Sequence, residues 1–86
     1  MKILYFAWLR ERVGTGEEDV TLPAGITDVA GLVAWLRTRS PGHEQAFTHG
    51  RIVRCAVNQD FATPDAAITD RDEIAFFPPV TGGCRR

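Results

Sequence analysis

Two consecutive prolines, Pro78 and Pro79, follow an apolar run that ends at Phe77, and they set where a sheet in this chain must stop. Proline lacks an N–H and holds φ near −65°, so neither residue can add a rung to a ladder. Residues 73–77 are therefore expected to form the last strand. Residues 78–86 are expected to leave it as a tail, extended in a polyproline-like geometry at its start. Gly82 and Gly83 then give the thinnest backbone a protein can present. Such a tail adds little to a core and is costly in chain entropy, so it makes sense as something that a partner grips. Fully extended, residues 78–83 would span roughly 20 Å. The division expected is a folded domain over 1–77 and a tail over 78–86.

Ahead of the tail the chain reads strand, strand, helix, strand, short strand, strand. Residues 2–9 are apolar and aromatic, with Ile3, Leu4, Tyr5, Phe6 and Trp8. They read as one inner strand with a helix over one side. Residues 19–22 alternate and stop at Pro23, which predicts the second strand of a hairpin. Its loop holds Gly14, Thr15 and Gly16, with Glu17 and Glu18 as solvated acids. Val29, Leu32, Val33 and Leu36 recur at i, i+3, i+4 and i+7, the spacing of an amphipathic helix. Thr27 or Asp28 is its candidate N-cap, and Ser40-Pro41-Gly42 ends it. Gly31 inside the helix costs about 1 kcal/mol relative to alanine, and close packing on the sheet would explain it. Residues 43–50 suggest one helical turn around Ala46 and Phe47. Residues 52–57 predict a strand ending at the turn Asn58-Gln59. Phe61-Ala62 is a candidate short edge strand, and Ile68 a core plug. Asp70-Arg71-Asp72 reads as a tight turn. The fold class is α+β, with one helix packed across one mixed sheet.

These residues carry a resemblance. The string DEIAFFPPVTGG over 72–83, AVNQ over 56–59 and LYFAWLRE over 4–11 resemble the MoaD family, the small, sulfur-carrying subunit of molybdopterin synthase. The match runs in the family's order from Met1 to Gly83, and FFPPV before a Gly-Gly end is its specific part. The resemblance implies a ubiquitin-like β-grasp fold. It also implies a function as sulfur carrier for the dithiolene of the molybdenum cofactor. Sulfur would be held as a C-terminal thiocarboxylate on Gly83, next to Gly82. A carboxylate is a poor electrophile until a leaving group is attached. The family solution is adenylation, with ATP, by a ubiquitin-activating-like adenylyltransferase of the MoeB type. The implied receiver is a MoaE-like large synthase subunit, in a heterotetramer. Pro78, Pro79, Val80 and Thr81 would thread into it. Phe76 or Phe77, whichever faces outward, would anchor at the pocket mouth. Phe6 and Arg10 match family positions on the surface facing the large subunit.

One departure stands out: the chain continues past Gly83 with Cys84, Arg85 and Arg86. Carrier chemistry needs Gly83 as the terminal residue. The expectation is removal between Gly83 and Cys84 by a peptidase. An added segment without function, or loss of the carrier role, are the alternatives.

Residue types bound the other classes. Ten basic and eleven acidic residues leave a net charge of −1, which gives no reason to expect nucleic-acid binding. No apolar run is long enough for a membrane span and no cleavage signal opens the chain. Two distant cysteines, Cys55 and Cys84, do not make a disulfide framework, so a cytoplasmic setting is expected. No P-loop, GxGxxG or HExxH occurs, and no zinc spacing. His43 and His49 read as solvated loop residues, Cys55 as a small buried hydrophobe. The chain is expected to be non-catalytic alone, to bind no metal and to hold no permanent cofactor. Two rivals remain: a ubiquitin-like carrier serving thiamine, tRNA thiolation or protein conjugation, and a ubiquitin-like binding module without a thiocarboxylate.

Overall fold

A computed structural model describes residues 1–48 and 53–79. The elements are β1 (Lys2–Tyr5), α1 (Trp8–Val13), β2 (Glu17–Asp19), α2 (Val29–Leu36), α3 (Pro41–Thr48), β3 (Arg54–Val57), β4 (Asp60–Ala62) and β5 (Glu73–Phe77). One five-stranded sheet runs β2-β1-β5-β3-β4. The last strand in sequence is thus the middle strand in space. It pairs parallel with β1 and antiparallel with β3. Register pairs Ile3 with Ile74, Tyr5 with Phe76, and Cys55 with Phe76. Period-two alternation places these side chains on one face. There they meet Leu9 of α1, Val29, Leu32 and Leu36 of α2, Ala46 of α3, and Ile68, all buried.

The helix predicted from periodicity is α2, and Asp28 is its cap: the carboxylate accepts from the Gly31 N–H at 2.8 Å. A Cβ at Gly31 would meet Asp28 Oδ1 at 3.1 Å and Ile26 Cγ2 at 3.3 Å. The glycine therefore makes room for the cap, where close packing on the sheet was expected. Asn58 and Gln59 form the β3–β4 turn with φ of 51° and 73°. Asn58 also ties that turn to β5, accepting from the Glu73 N–H at 3.0 Å and donating to Asp72 at 2.9 Å. Ile68 is a core residue, as expected, and β4 lies at the sheet edge.

Several sequence expectations change. Residues 2–9 are not one strand. The strand stops at Tyr5, Ala7 turns the chain, and α1 begins at Trp8. Gly14 ends α1 in the left-handed conformation, φ 96°, its N–H bonded to the Arg10 carbonyl at 2.9 Å, a conformation open to a residue without Cβ. The second strand is Glu17–Asp19, earlier than the 19–22 expected. Pro41, read as a terminator, starts α3, where its missing N–H costs nothing. Ser40 precedes it and accepts from the His43 N–H at 3.1 Å.

His43 and Glu18 are the largest correction. Both were expected in solvent. His43 is 7% exposed, and its Nε2 lies 2.8 Å from Glu18 Oε2. The Tyr5 hydroxyl donates to the same oxygen at 2.7 Å, and Arg39 approaches Glu18 Oε1 at 3.5 Å. Ser40 Oγ sits 2.7 Å from His43 Nδ1. A neutral imidazole with its proton on Nε2 satisfies every member: Nε2–H donates to the carboxylate and the serine hydroxyl donates to Nδ1. Burial pushes the Glu18 carboxyl up. The hydrogen bonds from His43 and Tyr5, with the charge of Arg39, outweigh it and hold the group below its ordinary value. Burial, then Glu18 itself, pushes the Tyr5 hydroxyl strongly up, so it stays a donor. The network fastens α3 to β2 and β1.

Two outcomes are expected. A Cβ at Gly42 would land on the Arg12 carbonyl oxygen at the end of α1. Gly42→Ala should therefore cost about 1–3 kcal/mol or more, and a thermal melt that matches the wild type would contradict the close α1–α3 approach. The folded pKa of Glu18 lies below its ordinary value of 4.5, so its stabilisation is complete above that pH and disappears as pH falls through the folded value. Glu18→Gln should cost about 1–3 kcal/mol at neutral pH. The gap in Tm between wild type and variant should close in acid; a gap that is flat with pH would remove the carboxylate from the account.

Candidate functional site

With the helices on one face, the other face of the sheet stands open, and among the described residues no helix covers it. Register assigns its occupants. Leu4 pairs with Ala75, Ala56 with Ala75 and with Phe61, and Arg54 with Phe77. These residues alternate along their strands with Ile3, Tyr5, Cys55, Ile74 and Phe76, so their side chains share the outer face, where Ala56 is nonetheless covered by its neighbours. The strip they make is apolar at its centre. Phe61 is 81% exposed, and its ring packs edge-on against Phe77 with centroids 5.7 Å apart. A shallow depression of about 350 Å³ lies beside the pair, bounded by Arg54, Ala62 and Thr63. Charged residues border the strip: Lys2 paired with Glu17 at 3.7 Å, Glu73, and Arg54.

The β1–α1 turn adds a second part. The Phe6 N–H donates to the Phe76 carbonyl at 3.1 Å. Phe6 therefore sits beside the end of β5, where Pro78 leaves the sheet, and is 49% exposed. The Leu9 N–H closes the turn on the Phe6 carbonyl at 3.2 Å. Ala7 takes φ 56° and ψ −134° within it. That is the first central position of a type II′ turn, which favours glycine. An L-residue there costs on the order of 1–3 kcal/mol. Arg10 follows one helical step later, exposed, its chain lying over Gly16. A groove of about 690 Å³ runs between Phe6, Ala7 and Arg10 on one side and Lys2 and Glu17 on the other.

The residues expected at the site fall into three groups. Phe6 and Arg10 are exposed and Phe77 is half-buried on the outer face, all around the end of β5. Phe76 does not: it is 1% exposed, stacked on Tyr5 at 6.1 Å and met edge-on by Phe47 at 5.0 Å. Alternation decides between the two phenylalanines. Phe77 faces outward, and Phe76 is a core residue that no partner can touch. Pro78 and Pro79 follow β5, half-buried and outside the ladder. Val80, Thr81, Gly82, Gly83 and Cys84 lie outside the described residues, as do Ile52 and His49.

Phe61 was missed as a site residue. The signal was available, because a Phe next to an edge turn, out of phase with inward Ala62, must point out. Cys55 is buried, as expected. Its thiol donates to the Ala62 carbonyl at 3.4 Å, and burial raises its pKa. That makes it a poor nucleophile. Among the described residues no cluster of histidine, cysteine and carboxylate side chains could hold a metal, and no helix is long and apolar enough to cross a membrane.

A five-stranded mixed sheet holding its helices on one face, with the last strand of the sequence at its middle, defines a ubiquitin-like β-grasp protein. The chain belongs to the ThiS family, whose model matches residues 3–83. It is 41% identical over 83 residues to the molybdopterin synthase sulfur carrier subunit of Escherichia coli, covering 96% of this chain and 99% of that protein. The Mycobacterium tuberculosis protein of the same name is 38% identical, with 96% of each chain covered. Among solved structures, a molybdopterin converting factor subunit 1 from Pyrococcus furiosus superposes with a TM-score of 0.74 at 30% identity, covering 92% of this chain and 95% of the other. SAMP1 from Haloferax volcanii gives 0.73 at 27% identity, covering 96% and 98%.

The two faces predict opposite responses to the same truncation. Phe76→Ala should cost about 3–5 kcal/mol. Phe61→Ala forfeits only its ring contact with Phe77, under about 1.5 kcal/mol. Equal losses in a pair of denaturant titrations would mean that the outer face is not open.

Proposed function

We propose that this chain is the sulfur-carrier subunit of a molybdopterin synthase. The observation that carries the reading is the span of the family match, which includes Gly82 and Gly83 and ends on the residue whose carboxylate would react. The relatives named as sulfur carrier subunits support it at nearly full length. The chain's own contribution is presentation. The middle strand is held by pairing on both sides up to the point where Pro78 follows it, the prolines would limit the entropy that a tail loses on ordering, and the glycines would let it enter a narrow channel.

The chemistry begins at the Gly83 carboxylate. Attack of one of its oxygens on the α-phosphorus of ATP, in a MoeB-like activating enzyme, releases pyrophosphate and leaves an acyl adenylate. A sulfur nucleophile then displaces AMP, and the C-terminus becomes a thiocarboxylate. The MoaE-like large subunit receives the tail and passes the sulfur to a pterin precursor. Removal of residues 84–86 by a peptidase precedes the first step, since only a terminal Gly83 has a carboxylate to activate. The open sheet face, with Phe61, Phe77, Phe6 and Arg10, is the docking surface for these partners.

A second reading has one specific observation in its favour. The Haloferax volcanii neighbour is titled a small archaeal modifier protein, so a tail of this kind could be joined to lysines. The test is the intact mass of the chain from its native host, with and without the activating enzyme. The expected species ends at Gly83 with one oxygen replaced by sulfur. Chains found only with residues 84–86 in place would refute the carrier role, and Gly83 found in amide linkage to other proteins would favour the modifier.

A further inference from the structure

One strained residue of the exposed surface has a side chain that adds no packing to the core. Ala7 holds φ 56° and ψ −134° at a turn position that glycine occupies freely. Its methyl group is exposed and lies outside the core cluster. The methyl therefore adds no packing to the core, and although it narrows the unfolded chain, the folded backbone would be more relaxed without it. Strain of this kind persists where something other than folding requires the residue.

The surroundings of Ala7 indicate what requires it. Phe6 precedes it, half-exposed and bonded through its N–H to the Phe76 carbonyl at the end of the middle strand. Arg10 follows it, its N–H bonded to the Ala7 carbonyl at 3.1 Å. The turn thus holds an aromatic ring and a guanidinium on either side of one methyl group, at the point where the tail leaves the body. Aromatic residues and arginine are the side chains enriched at interface centres, and here they are the neighbours of one small apolar group. A methyl held at a defined place by a stiff turn can be buried by a partner at little further entropic cost.

We propose that the Ala7 methyl is a contact point for the subunit that receives the tail, and that its backbone strain is retained for that contact. The assignment rests on the proposed carrier function and adds to it a specificity-determining residue. The partner surface it requires is an apolar patch, close-packed enough to register the loss of one methyl, with carboxylates placed to meet Arg10.

Ala7→Gly tests this with two readouts that must move in opposite directions. Relief of the turn should raise Tm by roughly 4–8 °C. Affinity for the large synthase subunit, titrated with the folded chain processed to end at Gly83, should fall roughly fourfold or more, the worth of one buried methyl. A residue with a purely structural role would move both readouts the same way, so a variant that melts lower and binds more weakly would overturn the inference. So would a variant that melts higher and binds as well as the wild type. A wild-type chain that does not bind the large subunit would overturn the carrier reading itself, and this use of Ala7 with it.

Discussion

The parallel pairing of β1 with β5 is the constraint on which the rest of the structure depends. Two parallel neighbours cannot be joined by a tight turn and need a long connection. Nearly the whole chain lies between them: α1, β2, the helices and the β3–β4 hairpin. Because β5 is both last in sequence and central in the sheet, its hydrogen bonds run to both sides, to β1 and to β3. Its position is therefore set by the whole fold, and so is the direction in which residue 78 departs. An edge strand would pass the looseness of its edge to whatever follows it; here Pro78 follows a strand that is hydrogen-bonded on both sides.

Period-two alternation along that strand then separates stability from recognition. Ile74 and Phe76 point into the helix-covered core, while Ala75 and Phe77 point to the open face. Tyr5 and Phe6 divide in the same way on β1 and just beyond it. Adjacent aromatic residues thus serve different ends, one packed and one presented. The core side carries an interior polar network as well, where Tyr5, Glu18, His43 and Ser40 satisfy one another. Such a network is worth having only when every member is paired, and here it anchors a helix that offers few apolar residues of its own.

Much of this was legible in residue patterns. The periodicity of Val29, Leu32, Val33 and Leu36 located α2, Pro78 located the end of β5, and Asn58-Gln59 located a hairpin turn. What escaped was governed by tertiary contact. His43 and Glu18 are 25 residues apart, and nothing local tells a loop histidine from one that reaches across to a strand. The run over residues 2–9 has strand composition throughout, and its break depends on a single positive φ at Ala7, which an alanine does not advertise. Pro41 is ambiguous by nature: the missing N–H that ends one helix is equally harmless at the first position of the next. At the site, the pair Phe76-Phe77 was visible, but which ring faced outward waited on the register with Tyr5 and Arg54.

The open face also explains why the strained turn sits where it does. Besides the open face itself, a sheet covered on one side offers its strand ends and inter-strand corners as places where a side chain can be aimed outward without disturbing the core. Phe61 occupies the corner after the β3–β4 turn, and Phe6 the corner after β1. The first corner is made by Asn58 and Gln59, both at positive φ, and the second by Ala7, also at positive φ. Both corners that present an aromatic ring are thus turned by non-glycine residues in conformations that glycine would hold more easily. Glycine would relax each corner and also soften it. Stiff corners keep the two rings at fixed positions on the face, one near the exit of the tail and one across the sheet from it. On the proposed carrier reading, a partner that must align a channel with residues 80–83 would gain from that rigidity, because the body then fixes where Pro78 and Pro79 leave the sheet.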